Sequence, residues 1–174
     1  VSLEKRAALA SPRGALRALF VGRLVPSKGV AFVLQALQRL PTTVTLDVVG
    51  QGPERQRLED LARTLHVEQR VRFHGQVSRA AVEEFYARAD AFVFPSVREA
   101  SGNVVYESMR HGLPLITCAS GGPGHVARDT GVGLPVDDAR ALVAGLVRAL
   151  RRLADLRSER HRLGAAAHAR VAAV

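Results

Sequence analysis

Short apolar runs ending in glycine or a turn alternate along this chain with stretches whose apolar residues recur at three- and four-residue spacing. ALRALFVG (15–22) is the first run, and SKGVAFVLQALQRL (27–40) follows it with Val30, Val33, Leu34 and Leu37 on one helical face. VTLDVVG (44–50) reads as a second strand, and residues 53–66 as a helix opened by Pro53. VRFHG (71–75), AFVFP (91–95), PLITCAS (114–120) and GVGLPV (131–136) continue the strand series. Helices are predicted over 78–88, capped by Ser78, and over 103–112, closed by Gly112. Residues 138–153 and 155–173 read as two closing helices, and residues 1–14, with Pro12 and Gly14, as a linker or edge segment. The strands are apolar throughout rather than alternating, and helices separate them. That pattern is a parallel sheet of βαβ units with both faces covered. The expected fold is therefore α/β and Rossmann-like, with a mostly parallel six-stranded sheet, in a single domain over 15–174.

In such a sheet, ligands bind beyond the carboxyl ends of the strands. The residues predicted there are Gly22-Arg23, Gly50-Gln51-Gly52, His74-Gly75, Pro95 to Gly102, and Ser120 to His125, all read as loops. In GRLVPSKG (22–29), Ser27 is placed to cap the next helix, and Arg23 and Lys28 flank the loop. A helix N-terminus beside a guanidinium and an ammonium suits a diphosphate. The stretch lacks the glycine spacing of both a Walker A loop and a dinucleotide fingerprint. GQGPE (50–54) is ordinary helix-start chemistry in a tight turn. A lone histidine such as His74 is more often a packed or surface group than a catalyst.

Composition narrows the partners. The 174 residues are 47% hydrophobic, enough for one full-sized core. Lys and Arg number 25 against 16 Asp and Glu, a formal charge of +9, which points to a phosphate-bearing ligand, a nucleic acid or an acidic membrane face. An arginine-rich composition with much Ala, Val and Leu would give the same excess without any partner. No nucleic acid is expected, because aromatic residues are 5% with no Trp to stack on bases. Arg148, Arg151, Arg152, Arg157, Arg160 and Arg162 cluster near the C-terminus, either as a solvated helix face or as a contact for anionic lipid. The single cysteine, Cys118, fits a reducing compartment. The chain shows no signal-peptide pattern and does not begin with Met, so it is expected to be a piece of a longer protein. The expected location is cytoplasmic, with peripheral contact at the inner membrane face left open.

REASGNVVYESMRHGLP (98–114) carries two acids, Glu99 and Glu107, around the turn Ser101-Gly102-Asn103. Glu99 is predicted on the loop after a strand and Glu107 one turn into a helix. Ionised carboxylates do not bond each other, but both accept hydrogen bonds from hydroxyls. The backbone N–H groups of 102–104 are then left to meet an anion or sugar oxygens. Either acid alone would pass as a surface residue. Together with Arg23 and Lys28 they describe a site for a polyhydroxylated, phosphorylated ligand, such as a nucleotide sugar.

Four segments in register resemble a known family. FVGRLVPSKG (20–29), LDVVGQGPE (46–54), VRFHGQV (71–77) and REASGNVVYESMRHGLPLITCASGGPGHV (98–126) are similar to the C-terminal, donor-binding domain of retaining GT-B glycosyltransferases of family 4, the group 1 transferases. The resemblance covers roughly 15–137. It implies that Arg23 and Lys28, with Gly22, hold the donor diphosphate, and that Arg23, Lys28 and Glu99 serve the reaction. It implies Glu99 at the sugar hydroxyls, Glu107 at the ribose hydroxyls, Ser101, Gly102, Asn103 and Val104 along the sugar and phosphate, and His74 and Gly75 near the base. It implies transfer with retention, a UDP- or GDP-linked sugar as donor substrate, and neither cofactor nor metal. It also implies an N-terminal acceptor domain that this chain lacks, and hence little turnover by the chain alone. The chain departs from the family pattern at Ala100-Ser101 and at His125, to which no role is assigned. The alternatives are a non-catalytic nucleotide-binding module and a basic nucleic-acid-binding domain.

Overall fold

The computed structural model describes residues 10–97 and 102–173. Their strands are β1 (Leu16–Val21), β2 (Val44–Val49), β3 (Val71–Gly75), β4 (Ala91–Phe94), β5 (Leu115–Cys118) and β6 (Gly131–Leu134), in the order β3-β2-β1-β4-β5-β6. Every neighbouring pair is parallel. The helices are α1 (Val30–Leu37), α2 (Arg55–Thr64), α3 (Arg79–Arg88), α4 (Asn103–Arg110), α5 (Gly121–Ala127), α6 (Ala139–Asp155) and α7 (Arg157–Ala172). α1 packs on α2 and α6, while α4 packs on β4, β5 and α7, so helices cover both faces. β4 and β5 are buried at every position, which is why their sequences carry no polar alternation. The expected α/β, Rossmann-like six-stranded sheet is what forms. No described helix is long and apolar enough to cross a membrane.

Local differences from the expectation have identifiable causes. The helix predicted over 27–40 is split. A single 3₁₀ turn, Pro26–Lys28, ends at Gly29, whose φ of 73° breaks the run, and α1 starts only at Val30. Ser27 therefore caps nothing. The segment read as a loop from Ser120 to His125 contains α5, and Gly124 within it lies so close to the Cys118 and Ala119 backbone that no side chain fits there. Ser78 does cap α3, accepting from the Ala81 N–H at 3.2 Å. Asp138 caps α6 in the same way at 2.8 Å.

The amino edge of the sheet is fastened by one buried acid. Asp90, at the start of β4, is 4% exposed. It accepts from the Ser11 N–H (2.9 Å), the Ser11 hydroxyl (2.6 Å) and the Arg17 N–H (2.8 Å). Arg160 of α7 lies 3.6 Å away and donates to the carbonyls of Ala15 and Ser11. Arg160 is thus not on a solvated helix face, as its place in the basic cluster suggested. It is 4% exposed and belongs to the core. Burial alone would raise the Asp90 pKa, but the bonds from Arg17 and Ser11 outweigh it and hold the carboxyl below its usual range. A depressed folded pKa means the contribution is complete above the unfolded value of about 4 and lost as pH falls through the folded one. Asp90→Ala is expected to lose about 3–5 kcal/mol at neutral pH, since it strands a buried guanidinium, and to flatten the acid limb of stability. Denaturant melts from pH 2 to 7 would check both effects, taking about 4 as the reference carboxyl pKa.

Candidate functional site

The strand order reverses direction between β1 and β4, and the loops that follow these two strands meet at the carboxyl edge. The Ser27 carbonyl accepts the Val97 N–H at 3.1 Å and lies 3.3 Å from the Ser96 hydroxyl. A Cβ on Gly29 would lie 2.5 Å from the Pro95 carbonyl oxygen, so only glycine permits this approach. The loop after β2 closes on the same edge. Leu24 donates to Gln51 and accepts from Glu54, and Gly50 donates to the Gly75 carbonyl at 2.8 Å. The edge is therefore built from backbone packed on backbone.

Three predicted groups lie on the segments that form this edge. Lys28 holds its Nζ 5.0 Å from the Phe94 ring centroid, within cation–π range, at the end of β4. Gly22 bonds to the Val49 carbonyl, and the adjacent Arg23 is exposed with no ion pair among the described residues. Gly102 begins α4, and no described side chain caps that helix, so the first N–H groups after Gly102, those of Asn103 and Val104, face outward from its start. Glu107, one turn on, is half-buried and accepts from the Tyr86 hydroxyl at 3.1 Å. Glu99 and Ser101 lie outside the described residues.

His74 is differently engaged. Its Nε2 is 2.6 Å from Asp47 Oδ1, and its ring lies 4.4 Å from that of Phe85 on α3. Two contacts commit the ring to the sheet face beneath α3. Gly75, with φ of 69°, stays at the edge beside Gly50. The sequence reading passed over Tyr86 and Asp90. A large aromatic with a polar tip, buried in a helix, needs a hydrogen-bond partner, and an acid directly before an apolar strand needs one too. Those were the available signals.

The family model for glycosyl transferases group 1 matches residues 1–170. The chain belongs to that family. It is 38% identical to the lipopolysaccharide core biosynthesis glycosyltransferase LpsE of Rhizobium meliloti (strain 1021), across 94% of this chain and 46% of the relative. Against the glycogen synthase of Mycobacterium tuberculosis (strain ATCC 25618 / H37Rv) it is 37% identical, across 82% of this chain and 34% of the other. The crystal structure of WaaG, a glycosyltransferase involved in lipopolysaccharide biosynthesis, superposes with a TM-score of 0.83 at 27% identity, covering 99% of this chain and 46% of that one. This group 1 chain thus spans less than half the length of these relatives.

Gly29→Ala is expected to lose about 1–3 kcal/mol, because it combines a left-handed φ with a collision against Pro95. It should also separate the two loops and weaken any ligand binding at this edge. A denaturant melt beside a binding titration would read both.

Proposed function

We propose that this chain is the donor-binding domain of a retaining GT-B glycosyltransferase of family 4. It would hold a nucleoside-diphosphate sugar, UDP- or GDP-linked, for lipopolysaccharide, polysaccharide or glycolipid synthesis. The observation that carries the reading is the pairing of the loops after β1 and β4 through Ser27, which draws Lys28 and the start of α4 to one edge. Family membership and the lipopolysaccharide glycosyltransferases among the relatives support the substrate class.

In this reading Arg23 and Lys28 face the donor diphosphate. As the bond from the anomeric carbon to the phosphate oxygen breaks, negative charge builds on the departing nucleoside diphosphate. Two fixed cations stabilise it there, a part that metal ions play in other phosphate chemistry. The N–H groups at 103–104 meet the phosphate or sugar oxygens, Glu107 accepts from the ribose hydroxyls, and Gly75 leaves room for the base. Glu99 is assigned to the sugar hydroxyls by family resemblance. The acceptor, the N-terminal domain that binds it, and any contact with an anionic membrane belong to the longer protein. The basic cluster offers the membrane less than its sequence suggests, since Arg160 is buried and Arg152 and Arg162 both pair with Glu159.

Calorimetric titration of the chain with UDP, GDP and ADP tests the donor site. Saturable binding of one of them is expected, weakened roughly tenfold by Lys28→Ala and by Glu107→Ala, each of which removes a charge-assisted hydrogen bond. A folded chain that binds none of the three overturns the assignment. With the full-length protein, the anomeric configuration of the product, read by NMR, tests retention. Activity that persists in a chelator is the expected result for a metal-independent transfer.

A further inference from the structure

We propose that the Tyr86 hydroxyl is a positioning group that fixes the Glu107 carboxylate toward the ribose of the donor nucleotide. This rests on the donor-site reading above and adds to it a residue from a different helix.

Tyr86 lies on α3, is 0% exposed, and has its ring between two others. Phe92 of β4 is 5.9 Å away and tilted, and His111, just past α4, is 5.3 Å away and nearly parallel. His111 is itself tied to Glu83 of α3 at 2.7 Å, so the end of α4 is held against the helix that carries the ring. A phenol placed this firmly aims its hydroxyl in one direction. Among the described residues its acceptors include Glu107 Oε2 at 3.1 Å and the Val104 carbonyl at 3.4 Å. A phenol has one proton, and the nearer acceptor, the carboxyl oxygen, takes it. Burial, and then the Glu107 charge, push the phenol's pKa well above its usual value, so it stays a donor at any working pH.

The consequence concerns entropy. A glutamate side chain has three rotatable bonds, and a ligand that binds it must freeze them. A hydrogen bond already holding Oε2 orders the carboxylate beforehand and leaves Oε1 to meet the ligand. Val104 gives the same result from the backbone side: the residue whose N–H is assigned to the donor has its carbonyl beside the same hydroxyl. The nucleoside end and the phosphate end of the site are thereby referred to one buried ring.

The test is Tyr86→Phe, which keeps the ring and removes only the oxygen. It is titrated with the nucleoside diphosphate that the unchanged chain binds and with its 2′,3′-dideoxy counterpart. The unchanged chain should prefer the ribose form, and Tyr86→Phe should lose roughly fivefold in affinity for that form alone, the weight of one hydrogen bond. General loosening would weaken both ligands alike, and that result overturns the proposal. So does undiminished preference in Tyr86→Phe. In a Glu107→Ala background the Tyr86 change should have no further effect on affinity, which tests the pairing from the acceptor's side. An additional loss there counts against the proposal. If the unchanged chain binds nucleotide without preferring ribose, the positioning role fails while the donor site stands. If it binds no nucleotide, both fail.

Discussion

The site depends on how closely backbone can approach backbone at the carboxyl edge of the sheet. Three loops meet there, and at three points a Cβ would sit inside a neighbouring carbonyl: Gly29 against Pro95, Gly50 against Gly22, and Gly52 against Leu24, at 2.5, 2.0 and 2.2 Å. Packing this tight excludes side chains from the floor of the edge. What the three glycines bring together there is peptide against peptide. A diphosphate can approach such a floor, whereas a floor of larger residues would hold it away from the N–H groups at the start of α4.

The opposite edge is built on a different principle. At the amino ends of β1 and β4 polar groups gather around the buried Asp90, which accepts from Ser11 and Arg17, with Arg160 reaching in from the last helix. Breaking such a cluster is costly because one partner is left charged and buried. The clamp joins the segment before β1, the start of β4 and α7, so the two strands flanking the switch point are held rigidly at one end. Their other ends are then free to diverge into loops at a fixed separation.

The sequence revealed the fold and the outline of the site because both are written in local patterns. Unbroken apolar runs such as AFVF at 91–94 signal a doubly covered strand, and glycine at a strand end signals a tight exit. What was missed is tertiary. The 3₁₀ turn before α1 follows from Gly29 meeting Pro95, a residue 66 positions away. Arg160 looks like its arginine neighbours, and only the packing of α7 over the amino edge distinguishes it. Tyr86 carries no motif, and its importance appears only once α3 and α4 are side by side. The family resemblance implies His74 near the base, and its place along β3 does not reveal that Asp47 and Phe85 engage the ring.

The aromatic side chains connect these observations. Phe20, Phe94, Phe92, Tyr86 and His111 form a continuous row, with successive centroids 5.9, 5.9, 5.9 and 5.3 Å apart. Lys28 rests on the Phe94 ring, and Glu107 is held by the hydroxyl of Tyr86. The site's cation and its carboxylate are therefore seated on one buried, close-packed row rather than on separate loops. Aromatic rings have few rotatable bonds and bury large areas, so such a row resists deformation better than aliphatic packing would. A chain with only 5% aromatic residues and no Trp has placed five of its rings, histidine included, beneath the proposed donor site. The spacing between Lys28 and Glu107, the groups proposed to meet the diphosphate and the ribose, is then a property of the core, which is the condition under which a short loop and a short helix could hold a ligand that spans both.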